Sequence, residues 1–223
     1  INQCTMKGGD IMKLIINGDC WHKMNWLAER SENELTAMGV IIEDQDDPSA
    51  VRLIRLEIME QKVSPSHIEI DGDHLAKLND DLFLEGFEPW QLCVWFHTHP
   101  EGMAGPSGTD TNTMEETFGD YAMALMLILP KKGKLYSDCY CRLKATWIPQ
   151  QVVLKPEVEI DYLAWDTAES ADKWEADYEK HVSDDPSISV SLAGESFSSM
   201  EKTSRLDWWD KPEGYASEVG AYE

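Results

Sequence analysis

Two stretches of this chain are of strand length and apolar apart from a leading Gln91: residues 91–96 (QLCVWF) and 122–129, the latter inside the longest apolar run, 121–130 (YAMALMLILP). A strand with no polar face has to be buried on both sides, so the fold needs a sheet covered on each face by other elements.

The remaining sequence supplies that cover. Residues 11–16 are short and apolar enough for a buried strand, and 21–30 space Trp21, Met24 and Ala28 at helical intervals. From 34 to 42 the β-branched and apolar content rises, 44–49 (DQDDPS) is a turn, and 51–59 alternate apolar and charged residues with period two. A short strand at 67–70 leads into a predicted helix over 71–87, with Leu75, Leu78, Leu82 and Phe83 as its apolar stripe and Pro89 as its stop. A short helix beginning near Asp110, the strand at 122–129, a Lys-Lys-Gly turn and strands through Leu143 and about Val153 complete an α/β or α+β arrangement. Residues 1–155 are expected to form one domain and 156–182 a helical extension with a polar helix over 167–181. The acidic, Ser-rich stretch 183–223 has no periodicity and is expected to be a largely disordered tail, interrupted by Trp208 and Trp209.

Charge and cysteine usage exclude some function classes. The 223 residues carry 42 acidic against 19 basic side chains, a formal net charge of -23. That field repels phosphate backbones and anionic lipid, so nucleic acid is not an expected partner. No window approaches the roughly 20 apolar residues of a membrane helix, and the N-terminal residues lack the charged-then-apolar order of a secretory signal. Cys4, Cys20, Cys93, Cys139 and Cys141 lack the spacing of a disulfide framework, which points to a reducing, cytoplasmic compartment. Cys139 and Cys141 have no second Cys/His pair at zinc-site spacing.

The run at 91–96 leads straight into His97-Thr98-His99-Pro100. On an extended backbone His97 and His99 leave the same face, within reach of one ion, while Thr98 points the other way as a packing residue. A glycine-rich loop follows, and Asp110 then offers a carboxylate at a helix N-cap. Two imidazoles and one carboxylate are ligands zinc prefers, and three protein ligands leave a fourth tetrahedral position for water, as catalytic zinc requires.

His97-x-His99-Pro100, six further residues, Ser107, two residues and Asp110 together resemble the JAB/MPN (JAMM) metallopeptidase signature, including the Pro106-Ser107 pair. The resemblance covers residues 11–150 or so and is nearest to compact prokaryotic and phage-type members, with Glu34 followed by Leu-Thr-Ala-Met-Gly. It implies a JAB/MPN-like (cytidine deaminase-like) mixed β-sheet flanked by helices and one Zn2+ per chain on His97, His99 and Asp110. It also implies a glutamate general base three residues before a small residue on an early strand. Glu34, three before Ala37, fits and would open that strand, whereas Glu29 and Glu32 are followed at that distance by Glu32 and Leu35. Ser107 would donate to the oxyanion; its plainer role is a helix cap. The implied activity is hydrolysis of a peptide or isopeptide bond in a protein or peptide substrate, such as one after the C-terminus of a ubiquitin-like or sulfur-carrier protein. The location would be cytoplasmic, in the host cytoplasm for a phage-encoded protein. The alternative is a non-catalytic MPN-type scaffold or a virion-associated assembly module.

Overall fold

A computed structural model of the chain describes residues 12–65, 67–119, 121–143 and 150–185, with 142, 143, 150 and 151 described by backbone alone. Trp208, Trp209 and most of the expected tail lie outside the described residues. In chain order the elements are β1 (Lys13–Asn17), α1 (Gly18–Arg30), β2 (Thr36–Glu43), β3 (Ala50–Ile58), β4 (Gln61–Ser64), β5 (His67–Ile70), α2 (Gly72–Leu84) and β6 (Leu92–His99). They continue as α3 (Gly108–Phe118), β7 (Met123–Pro130), β8 (Tyr136–Leu143), β9 (Gln150–Leu154), β10 (Glu157–Asp161), α4 (Ala171–His181) and β11 (Val182–Asp184).

The fold is α+β, a mixed eight-stranded sheet in the order β10-β1-β3-β2-β6-β7-β8-β9 with helices against it. The two apolar runs are β6 and β7, which pair in parallel near the middle of the sheet, His97 opposite Ile128 and His99 opposite Pro130. β7 shows why they have no polar face: Leu125, Leu127 and Leu129 enter one core cluster, and Ala124, Met126 and Ile128 enter the other. The first cluster takes Met24, Leu27 and Ala28 from α1. The second takes Leu82 from α2 and Met114 and Phe118 from α3.

Several expected boundaries shift. α2 ends at Leu84, before the expected stop at Pro89, because Gly86 just beyond it adopts φ +96°, where its N–H reaches Phe83 O at 3.0 Å and the Phe87 N–H reaches Leu82 O at 3.0 Å. Phe83 leaves the apolar stripe and is 54% exposed. Residues 61–64, expected only to lie between strands, are themselves a strand: β4 pairs antiparallel with β5 and parallel with β11 in a small second sheet. Beyond residue 155, β10 adds to the main sheet beside β1, and the polar helix is shorter than its composition implied.

Gly39 lies in β2 between β3 and β6, where a Cβ would sit 2.7 Å from Leu53 Cδ1 and 2.8 Å from Val94 Cβ. Gly39→Ala should therefore destabilise the protein by about 1–3 kcal/mol through overpacking, read as a lower urea midpoint with unchanged m-value. A neutral or stabilising effect would show that these strands are spaced more loosely than described.

Candidate metal centre

The last residues of β6 and the first turn of α3 meet in one buried cluster. His97 and His99 are both buried, with their Nε2 atoms 3.1 Å apart. Asp110 Oδ1 lies 3.4 Å from His97 Nε2, and its Oδ2 lies 3.4 Å from His99 Nε2. With Zn–N and Zn–O bonds of about 2.0–2.1 Å, ligand atoms on a tetrahedron stand about 3.3–3.4 Å apart. The three side chains therefore form a group that can hold a metal ion, and both the donor set and the spacing fit zinc.

Local structure fixes each of them. The period of the strand puts His97 and His99 on the face that carries Trp95, whose ring stacks on His97 at a centroid distance of 4.3 Å. The Trp95 stack orients the His97 ring, and neither Nδ1 has a hydrogen-bond partner of ordinary geometry among the described residues. The Met103 backbone lies near enough to favour a charged His99 without making a bond of ordinary geometry to Nδ1. Asp110 is not the N-cap expected from sequence; the cap is Ser107, and Asp110 is the third residue of the helix. Ser107 Oγ accepts from Asp110 N at 3.2 Å and Asp110 Oδ2 accepts from Ser107 N at 2.6 Å, a reciprocal capping box. The hydroxyl acts there as acceptor, which leaves its hydrogen to donate.

Glu34 is half-buried and precedes β2 rather than opening it, since the regular ladder begins at Thr36. Individual bonds hold its segment instead. Glu34 N donates to Ser64 O at 3.2 Å, Leu35 N donates to Thr98 Oγ1 at 2.9 Å, and Thr98 N donates to Leu35 O at 2.8 Å. Thr98, on the face opposite the histidines, therefore positions the neighbour of Glu34 as well as packing. Gln61, which the sequence did not single out, is buried and clamps Thr36: its Oε1 accepts from Thr36 N at 2.9 Å and its Nε2 donates to Thr36 O at 2.8 Å. No motif spacing marks that role, because it depends on a pairing 25 positions away. The rivals face solvent; Glu29 is exposed and Glu32 pairs with Lys131. A cleft of about 150 Å³ opens beside His99, with Ser31, Glu32, Asn33, Glu101 and Lys131 among its walls.

The charges interact. Burial lifts Glu34 to about 7, with Asp110 adding to the rise and His99 opposing it. Asp110 is also penalised by burial, but the His97 and His99 imidazoles outweigh this and hold it well below the usual carboxylate range. Burial lowers His97 despite Asp110; at His99 burial works the same way, but Asp110 and Glu34 prevail and raise it.

Against this geometry, a scan of protein-family models finds none that matches the chain. The chain is 30% identical over 128 residues to the 26S proteasome non-ATPase regulatory subunit 14 of Caenorhabditis elegans, a match covering 55% of this chain and 39% of that protein. It thus spans about two fifths of the length of that relative. The solution structure of protein DSY2949 from Desulfitobacterium hafniense shares 18% identity at a TM-score of 0.45, covering 66% of this chain and 92% of that one. Among the described residues no helix is long and apolar enough to cross a membrane.

In metal-free protein, an NMR pH titration should find the His99 ring protonating at higher pH than the His97 ring, since one folded pKa is raised above about 6.5 and the other is lowered. The opposite order would contradict this balance of burial against neighbouring carboxylates. Zinc uptake should weaken as pH falls through the same range, because protons compete for the same lone pairs.

Proposed function

We propose that the chain carries a JAB/MPN-type zinc metallopeptidase domain that hydrolyses an amide bond in a protein or peptide substrate. The observation that carries this reading is the convergence of His97, His99 and Asp110 at tetrahedral spacing, with Glu34 near enough for His99 and Asp110 to affect its ionisation. The signature spacing and the likeness to a regulatory subunit of the 26S proteasome support the domain type and a protein substrate. A ubiquitin-like or sulfur-carrier protein with a flexible C-terminus is the substrate class that the signature implies.

His97, His99 and Asp110 would hold one zinc, which when bound polarises a water and the scissile carbonyl and brings the water's pKa to about 7. Glu34, lifted to about 7 by burial in the metal-free site, would be drawn down by a nearby cation and stand ionised, ready to take a proton. In the reaction the water oxygen bonds to the carbonyl carbon, Glu34 accepts the water proton, the C–N bond breaks and Glu34 passes that proton to the leaving nitrogen. The Ser107 O–H donates to the carbonyl oxygen as negative charge develops there.

The full-length protein should retain one tightly held zinc after dialysis, and His97→Ala/His99→Ala should lose it. Glu34→Gln should keep fold and zinc while lowering turnover of ubiquitin-like C-terminal fusions by about 10²–10⁴-fold, as loss of a general base does. Glu29→Gln and Glu32→Gln should leave turnover near wild type. Wild type that binds zinc but cleaves no fusion would favour the scaffold reading. Loss of the metal in Glu34→Gln would make Glu34 a ligand, not a base.

A further inference from the structure

Sequence spacing offers one metal site, but the fold assembles a second set of donors from positions far apart in the chain. Glu60 lies between β3 and β4, His74 in the first turn of α2, and His181 is the last residue of α4; one ligand atom from each lies within 4.8 Å of the others. Backbone pairing creates this meeting. β11 runs parallel to β4 with Val182 opposite Gln61, which sets His181 beside Glu60. The Asp71 N–H reaches Glu60 O at 2.8 Å, and the Asp71 side chain caps α2 by accepting from His74 N at 2.8 Å, so the helix start is stitched to Glu60. The His74 and His181 rings stack at 4.6 Å with their planes 16° apart, so one ring has to turn out of the stack before both in-plane lone pairs meet at one ion.

We propose that Glu60, His74 and His181 form a second site, for a divalent ion that favours imidazole, of which zinc is the test case. His181 Nδ1 is buried with no hydrogen-bond partner among the described residues. Burial foremost, then His74 and Lys180, lower the His181 pKa against the opposing pull of Asp177 and Glu60, which favours the neutral ring with one nitrogen lone pair free to bind. His74 Nδ1 accepts from the Glu60 N–H at 2.8 Å. An ion that takes this lone pair displaces one exposed hydrogen bond, and water then takes over the freed N–H. The Glu60 carboxylate is exposed and can turn to complete the set. This ion exchanges more readily than one at the buried centre, because two of its ligands are half-buried and the third is open to solvent. Once bound it ties the end of α4 to the start of α2 and to the residue that precedes β4.

The test is a calorimetric zinc titration of the full-length protein in its one-zinc form, with His74→Gln and His181→Gln alongside. Wild type should take up about one further equivalent and gain thermal stability from it, whereas both variants lose that uptake and that gain. In wild type the second equivalent should shift the ring resonances of His74 and His181, a readout that does not depend on either variant folding. Wild type that takes up no zinc beyond the first equivalent overturns the proposal, as does a second ion that leaves both rings unshifted or persists in both variants. Failure of the peptidase reading is separate, since it shows in the first, tightly held equivalent.

Discussion

Two imidazoles and a carboxylate, buried within 3.4 Å of one another, set the terms for everything around them. Removing such groups from water is unfavourable unless hydrogen bonds or an opposite charge offset it. The chain supplies part of the offset: the capping box satisfies one Asp110 oxygen, and Trp95 covers His97. A cation at the meeting point would supply the rest by accepting the lone pairs that converge there. The same arrangement explains the split between the histidines, one shifted towards neutrality by burial and the other shifted towards its charged form by Asp110 and Glu34.

The segment around Glu34 depends on a second set of contacts. Thr98 holds Leu35, Gln61 holds Thr36, and Trp95 Nε1 donates to Thr36 Oγ1 at 2.9 Å, so the strand that carries the histidines also fixes the approach of Glu34. The small sheet joins in through Ser64, which accepts from Glu34 N. Asn33 Nδ2 donates to Asp184 Oδ1 at 2.7 Å, so β11 contacts the residue next to Glu34. β11 therefore reaches the segment around Glu34, although residues 183–223 read from composition alone as a disordered tail.

The centre was legible in the sequence because its information is local. His97 and His99 need only strand period, and Asp110 needs only a short loop before a helix. Glu34 was reached through the family resemblance; nothing in its own neighbourhood distinguishes it from Glu29 or Glu32 except the small residue three positions on. What stayed hidden depends on long-range pairing. Gln61 acts on a residue 25 positions away, and Glu60, His74 and His181 meet only because β11 returns to β4. Gly86 ends α2 before Pro89 because a left-handed glycine closes the helix through its own hydrogen bonds, a signal the nearby proline masked.

The most direct test of the central claim is an anomalous difference map, recorded across the zinc absorption edge from crystals of the zinc-loaded protein. The account predicts a peak about 2.0–2.1 Å from His97 Nε2, His99 Nε2 and one Asp110 oxygen, with its open side towards Glu34. Density for these side chains with no anomalous peak between them, or with the ion bound elsewhere alone, would contradict it.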